Sequence, residues 1–154
     1  MKSGLRCGEL MTTNPVSVTP YSSIADCART MKKNHVGSLL VMEGRRLYGI
    51  ITEQDIVRKL VAKDKNPLDY NAKDIMSEIR HTVTSDTDVF DAILTMRDNN
   101  IRHLPVTEEG QLAGLVTSKD ILKVEPDLFE LLAERIELKE ERKLDELDRE
   151  YGLL

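Results

Sequence analysis

Gly49-Ile50-Ile51-Thr52-Glu53-Gln54-Asp55 and Gly114-Leu115-Val116-Thr117-Ser118-Lys119-Asp120 are two copies of one phrase, set 65 positions apart. Each reads glycine, two aliphatic residues, threonine, two variable residues and aspartate. The shared register extends outward from them. Residues 9–58 align with 74–123 without a gap, and 15 of the 50 pairs are identical. Unrelated sequences of ordinary composition match at roughly one position in seventeen. The pairs include Met11 with Met76, Val18 with Val83, Asp26 with Asp91, Met31 with Met96, Leu39 with Leu104 and Leu47 with Leu112. Self-similarity at a fixed offset is the signature of a duplicated supersecondary unit. A linker around Lys63–Ala72 joins the copies, and its Asp64, Asn66, Pro67 and Asn71 are turn formers.

Both copies predict the same order of elements. Val16-Ser17-Val18 reads as a short extended piece. Ser22 or Ser23 then caps a helix in which Ile24, Ala28 and Met31 recur at helical spacing, with Asp26 three residues after Ser23. Ser38 to Met42 is mostly apolar and reads as a strand buried on both faces. Glu43-Gly44-Arg45-Arg46 makes a hairpin turn, Leu47 to Ile51 a second strand, and a helix runs from near Thr52 to about Ala62. The second copy repeats this with Val83; Val89, Ile93 and Met96; Leu104 to Thr107; Glu108-Glu109-Gly110; Leu112 to Val116; and Ser118 onward. The fold class is α/β (α+β): two β-α-β-β-α repeats, 5–65 and 70–124, packed about a pseudo-twofold axis, with a C-terminal helix over 125–154. One repeat alone is too small to bury a good core.

Composition narrows the function. The chain has 154 residues, 40% hydrophobic and 32% charged, with no Trp, 4 Tyr and 2 Phe, so the core is aliphatic. The longest uncharged apolar run, Val36 to Met42, is too short to cross a membrane. No apolar segment follows Met1-Lys2-Ser3-Gly4-Leu5, so no secretory signal is expected and the expected compartment is the cytoplasm. Residues 1–124 carry a net charge of +1 and residues 125–154 a net of −6. A body without basic bias and an acidic tail argue against nucleic acid as partner. Cys7 and Cys27 read as reduced thiols. The three His and two Cys show no ligand spacing, so no metal is expected. No Ser/His/Asp, Cys/His or paired-carboxylate set stands at catalytic spacing, which argues against an enzyme.

The repeated phrase has its own chemistry. It places Thr at a helix N-cap and Asp in the first turn. First-turn amides are free donors with positive partial charge, to which a phosphate can dock. The Asp carboxylate has two acceptor oxygens, and a ribose has two vicinal hydroxyls to donate. Plain capping explains the same residue types, with Thr and Asp serving only the helix end. The copies differ in charge. Lys119 precedes Asp120 where Gln54 precedes Asp55, and Arg102 and His103 stand where the first copy has Gly37 and Ser38. Lys119 either neutralises a phosphate or is simply solvated. The second copy is the better anionic site.

The duplication, the element order and the twice-seen motif resemble a tandem pair of cystathionine-β-synthase (CBS) domains, or Bateman module, over residues 5–124. Ile101-Arg102-His103-Leu104-Pro105-Val106 also resembles the family's strand before the hairpin, whereas Leu40 replaces the proline in the first copy. The resemblance implies a non-catalytic regulatory module that binds AMP, ADP or ATP between the repeats and acts through a partner protein. S-adenosylmethionine or a related adenosyl ligand is the alternative, and a ligand-free dimerising scaffold a third. By resemblance, the second-motif site draws on Asn14, Val16, Val36, Gly37, Arg102, His103, Leu115, Thr117, Lys119 and Asp120. A weaker first-motif site draws on Ile79, His81, Ile101, Ile50, Thr52 and Asp55. His81 and His103 are equally readable as ordinary surface histidines. The resemblance also implies a homodimer formed through helices such as Ile24–Asn34 and Val89–Asn99.

The tail carries two apolar stripes, Leu128, Leu131, Leu132 and Ile136, then Leu144, Leu147, Tyr151 and Leu154, separated by polar Lys139–Lys143. They suit either a solvated helix on the module's own surface or a helix for a dimer or partner contact.

Overall fold

The computed structural model describes residues 2–128 and, beyond them, residues 130, 133, 142, 144–146 and 149–150, all of these last helical. Leu128 is buried and Leu144 exposed, whereas Leu131, Leu132, Ile136, Leu147, Tyr151 and Leu154 lie outside the described residues. In chain order come α1 (Cys7–Leu10), β1 (Ser17–Val18), α2 (Ile24–Asn34), β2 (Ser38–Glu43), β3 (Arg46–Thr52) and α3 (Glu53–Lys59). Then follow α4 (Ala72–Ile75), β4 (Ser77–Glu78), α5 (Val89–Asn99), β5 (His103–Glu108), β6 (Gln111–Thr117) and α6 (Ser118–Val124). No helix of the described residues is long and apolar enough to cross a membrane.

The longer helices obey their capping residues. Ser23, not Ser22, caps α2 by accepting the Asp26 N–H. The Asp26 side chain does not complete the box; it pairs with Arg29 at 2.7 Å on the surface. Asp88 caps α5. Each of these helices ends on a residue in the left-handed region, His35 and Asn100, both at φ 52°. Ile24, Cys27 and Met31 of α2, and Val89, Ala92, Ile93 and Met96 of α5, turn inward. The matching strands β2 and β5 bury Leu39-Leu40-Val41 and Leu104-Pro105-Val106 on both faces, as their apolar runs predict. Each fully buried Leu or Ile contributes about 1.5–3 kcal/mol. Both cysteines sit in this interior. Burial pushes each thiol up to about 11, and aspartates nearby push the same way. Their counterparts in the repeat register are Ala72 and Ala92, so they serve as small apolar side chains.

The chain divides into two compact units that do not follow the repeats. One comprises Met1–Met11, Val83–Val106 and Leu115–Leu154 and holds Asp120. The other comprises Thr12–Thr82 and Thr107–Gly114 and holds Asp55. Each unit includes the leading helix of the opposite repeat. In the Asp120 unit, Cys7 N–H donates to Thr87 O, Gly8 N–H to Ser85 O, and Val89 N–H to Leu5 O, each at 2.9 Å. In the Asp55 unit the bonds recur 65 residues on or back. Ala72 N–H donates to Ser22 O at 2.8 Å, Lys73 N–H to Pro20 O at 3.0 Å, and Ile24 N–H to Tyr70 O at 2.9 Å. The linker expected to reach Ala72 therefore ends one residue earlier, where Ala72 opens α4.

The sheets break the symmetry. In the Asp55 unit, β1 runs parallel to β2, β2 and β3 form a hairpin, and β4 adds to β3 through Gly49↔Glu78 and Ile50↔Ser77. Gly49 is required there: a Cβ on it would lie 2.7 Å from Ser77 O. In the second copy β5 and β6 form the hairpin, and the expected extended piece at Val83 is a single parallel bridge to Val106. Leu40 N–H donates to Val16 O at 3.1 Å, but its counterpart is Pro105, which has no N–H to give.

Candidate functional site

Each repeated phrase lies where its spacing predicts, at the junction of a strand with a short helix. Thr117 caps α6, and its hydroxyl oxygen accepts the Asp120 N–H at 3.2 Å. Asp120 Oδ2 in return accepts the Thr117 N–H at 3.0 Å and the Thr117 hydroxyl at 2.9 Å. Thr52 and Asp55 repeat this box at the head of α3, with distances of 3.2, 3.0 and 3.1 Å. Capping thus occupies one carboxylate oxygen in each copy and leaves the other to its surroundings.

That second oxygen distinguishes the copies. Asp55 Oδ1 accepts the Ser77 hydroxyl at 3.0 Å and is ion-paired to Lys59 Nζ at 2.9 Å. Lys59 Nζ also donates to Ile75 O and Ser77 Oγ, each at 3.0 Å, and the Asp55 side chain is 11% exposed. Among the described residues, nothing donates to Asp120 Oδ1. Lys59 and Ser77 were not among the residues expected at the site. The spacing of Asp55 to Lys59, four apart on a helix, was the one signal that could have found the lysine.

Two expectations about phosphate are corrected. The first-turn amides are not all free. Ser118 N–H donates to Arg102 O at 2.9 Å and Asp120 N–H to Thr117, which leaves Lys119 N–H as the donor without such a bond among the described residues. In the other copy Glu53 N–H donates to Gly37 O at 3.0 Å. Both helices are seven residues long, so their dipoles are small. Nor does His103 supply a cation. Burial, reinforced by the Arg102 guanidinium, holds its imidazole below the ordinary range, with Asp120 pulling the other way. At neutral pH it is an uncharged hydrogen-bonding group. Arg102 and Lys119 are exposed and have no ion pair among the described residues.

The Asp120 unit holds Arg102, His103, Leu115, Thr117, Lys119 and Asp120, together with Ile101. Leu115 is buried. The Asp55 unit holds Ile50, Thr52, Asp55, Ile79 and His81, and also Asn14, Val16, Val36 and Gly37. Val36 and Gly37 precede β2, and Gly37 packs on Glu53, whose carboxylate oxygen would lie 3.1 Å from a Cβ there. Among the described residues no three His, Cys, Asp or Glu side chains gather as metal ligands.

A duplicated strand-hairpin-helix unit carrying a Thr-x-x-Asp box in each copy defines a tandem-repeat module of mixed α and β structure. The sequence matches the CBS domain family twice, over residues 7–62 and 72–127, and the chain belongs to that family. It is 37% identical over 131 residues to the uncharacterized protein MK0525 of Methanopyrus kandleri, covering 84% of this chain and 67% of that one. Its fold is similar to that of the CBS domain protein PAE2072 of Pyrobaculum aerophilum, solved in complex with AMP. The identity is 31%, the TM-score 0.73, and 84% of this chain and 99% of that one are covered. It is also similar to a hexameric CBS-CP12 protein from bloom-forming cyanobacteria, at 26% identity and TM-score 0.70, covering 97% and 90%.

Proposed function

We propose that this chain is a non-catalytic regulatory module that binds an adenine nucleotide through Asp120 and signals to a partner protein in the cytoplasm. The observation that carries this reading is the open Asp120 Oδ1. Its sister oxygen is held by the capping box, so the carboxylate is fixed in place while one charged acceptor is left for a ribose diol. Thr117 holds that carboxylate, Leu115 adds an apolar wall for the base, and Arg102 and Lys119 are the exposed cations for phosphate. The AMP complex of PAE2072 supports the ligand class.

A second reading, S-adenosylmethionine, gains from the uncharged His103, which removes one of three cations that favour a phosphate ligand. Thermal-shift measurements with AMP, ADP, ATP, adenosine and S-adenosylmethionine separate the readings. A ligand at 100 times its dissociation constant stabilises by about 2.7 kcal/mol. The nucleotides should give the largest shifts. Superiority of S-adenosylmethionine would promote the second reading, and no shift with any of them would leave a ligand-free scaffold. The module acts as a homodimer joined through its helices. Light scattering that reports 17.5 kDa in solution would refute this.

A further inference from the structure

Asp55 and Asp120 are the same residue of the same motif, yet their second oxygens meet different surroundings. Asp55 Oδ1 is held by the Ser77 hydroxyl at 3.0 Å and Lys59 Nζ at 2.9 Å. The network is closed on itself, because Lys59 also donates to Ser77 Oγ and to Ile75 O at the end of α4. It depends on β4, which brings Ser77 beside Ile50 and can approach only because Gly49 has no side chain. The second motif keeps the glycine, as Gly114, but not the lysine. Lys59 corresponds to Val124, which is exposed and apolar.

We propose that Lys59 and Ser77 plug the first-motif carboxylate, so that Asp55 accepts no ribose and each chain takes a single adenine nucleotide through Asp120. The proposal rests on the nucleotide-binding reading of Asp120. A ribose diol offered to Asp55 meets an oxygen whose lone pairs are already engaged by a hydroxyl and an ammonium. Binding there must break a charge-assisted pair and leave the lysine without its carboxylate. Loss of one such bond weakens binding by about tenfold to a hundredfold. Lys59 is therefore a specificity-determining residue that sets how many ligands the duplicated module holds, although neither motif shows it.

The test uses the full chain. Calorimetric titration with AMP should give one equivalent per chain, unchanged in Asp55→Ala. Lys59→Val combined with Ser77→Ala should raise it to two. Two equivalents in the unaltered chain, with one lost in Asp55→Ala, would overturn the plug while leaving the Asp120 reading intact. No added equivalent in the folded double variant would overturn it as well. If the unaltered chain binds no AMP, the Asp120 reading fails, and the plug stands only if the double variant gains one. Amine acylation followed by mass spectrometry needs no variant to fold. Lys59, 41% exposed but held by three acceptors, should react more slowly than Lys119, and equal rates would show that the network is not held in solution.

Discussion

The two motifs show what a duplication keeps and what it releases. Both copies keep the capping box, because each needs its helix started. In the Asp55 copy Ser77 and Lys59 bring a hydroxyl and an ammonium to the second oxygen, whereas among the described residues nothing donates to Asp120 Oδ1. The same capping geometry thus carries one carboxylate engaged through both oxygens and one engaged through a single oxygen. Identity of motif is consequently a poor measure of identity of surroundings: Lys59 and Ser77, which engage Asp55, both lie outside the phrase.

The largest effect that can break this comparison is on binding. Asp120→Ala should weaken AMP by roughly 1.5–3 kcal/mol, the usual worth of a hydrogen bond to a charged group. Asp55→Ala should change affinity less than about twofold, within the scatter of distant substitutions. Equal losses in calorimetry would make the motifs equivalent. Next in size is Gly49→Ala. Its Cβ would meet Ser77 O at 2.7 Å and Met76 Sδ at 2.9 Å, so β4 must shift. Urea denaturation should show a loss of about 1–3 kcal/mol, the usual cost of overpacking, and acylation of Lys59 should quicken as the network loosens.

Acid should separate the copies at their other caps. Burial alone would raise the Asp88 carboxyl, but bonds from the Ser3 N–H, the Phe90 N–H, the Ser3 hydroxyl and the Gly4 N–H outweigh it and hold it at about 2, below the ordinary 3.8. With the folded value depressed, its contribution is complete above about pH 4 and is lost as pH falls toward 2. Its counterpart Ser23 does not titrate. Asp88→Asn should therefore flatten the fall in melting temperature between pH 4 and 2, and an unchanged slope would place acid sensitivity elsewhere. The smallest effect is at Lys119. Because it is exposed, Lys119→Ala should reduce the preference for AMP over adenosine only about two- to fivefold at low salt and less at high salt. No change at low ionic strength would make this lysine a solvated surface charge.

Much of this was legible in the residues. The 65-residue offset located both hairpins, both long helices and the two Thr-x-x-Asp boxes, because strand alternation and helix caps are written locally. The exchange of α1 and α4 was not, since a four-residue helix is too short to display a period. Nor was the plug: Ser77 lies in a two-residue strand beyond the linker, and only the fold carries it to Asp55. His103 looked like a cation from its neighbours in sequence, and burial reverses that. The first-turn amides looked free because the acceptors Gly37 O and Arg102 O precede the hairpins that return to them.

The reciprocal placement of α1 and α4 bears on how such a chain can be divided. Cut within the linker, either half would keep a leading helix with no berth and a berth with no helix. Two identical halves could satisfy both by trading those helices. A single-repeat fragment spanning residues 70–128 is thus expected to be a swapped dimer when folded and unfolded when alone. Tandem fusion replaces that dependence on concentration with a permanent partner. Once the partner is covalent, the two copies no longer have to remain identical, and one aspartate is at liberty to become structural.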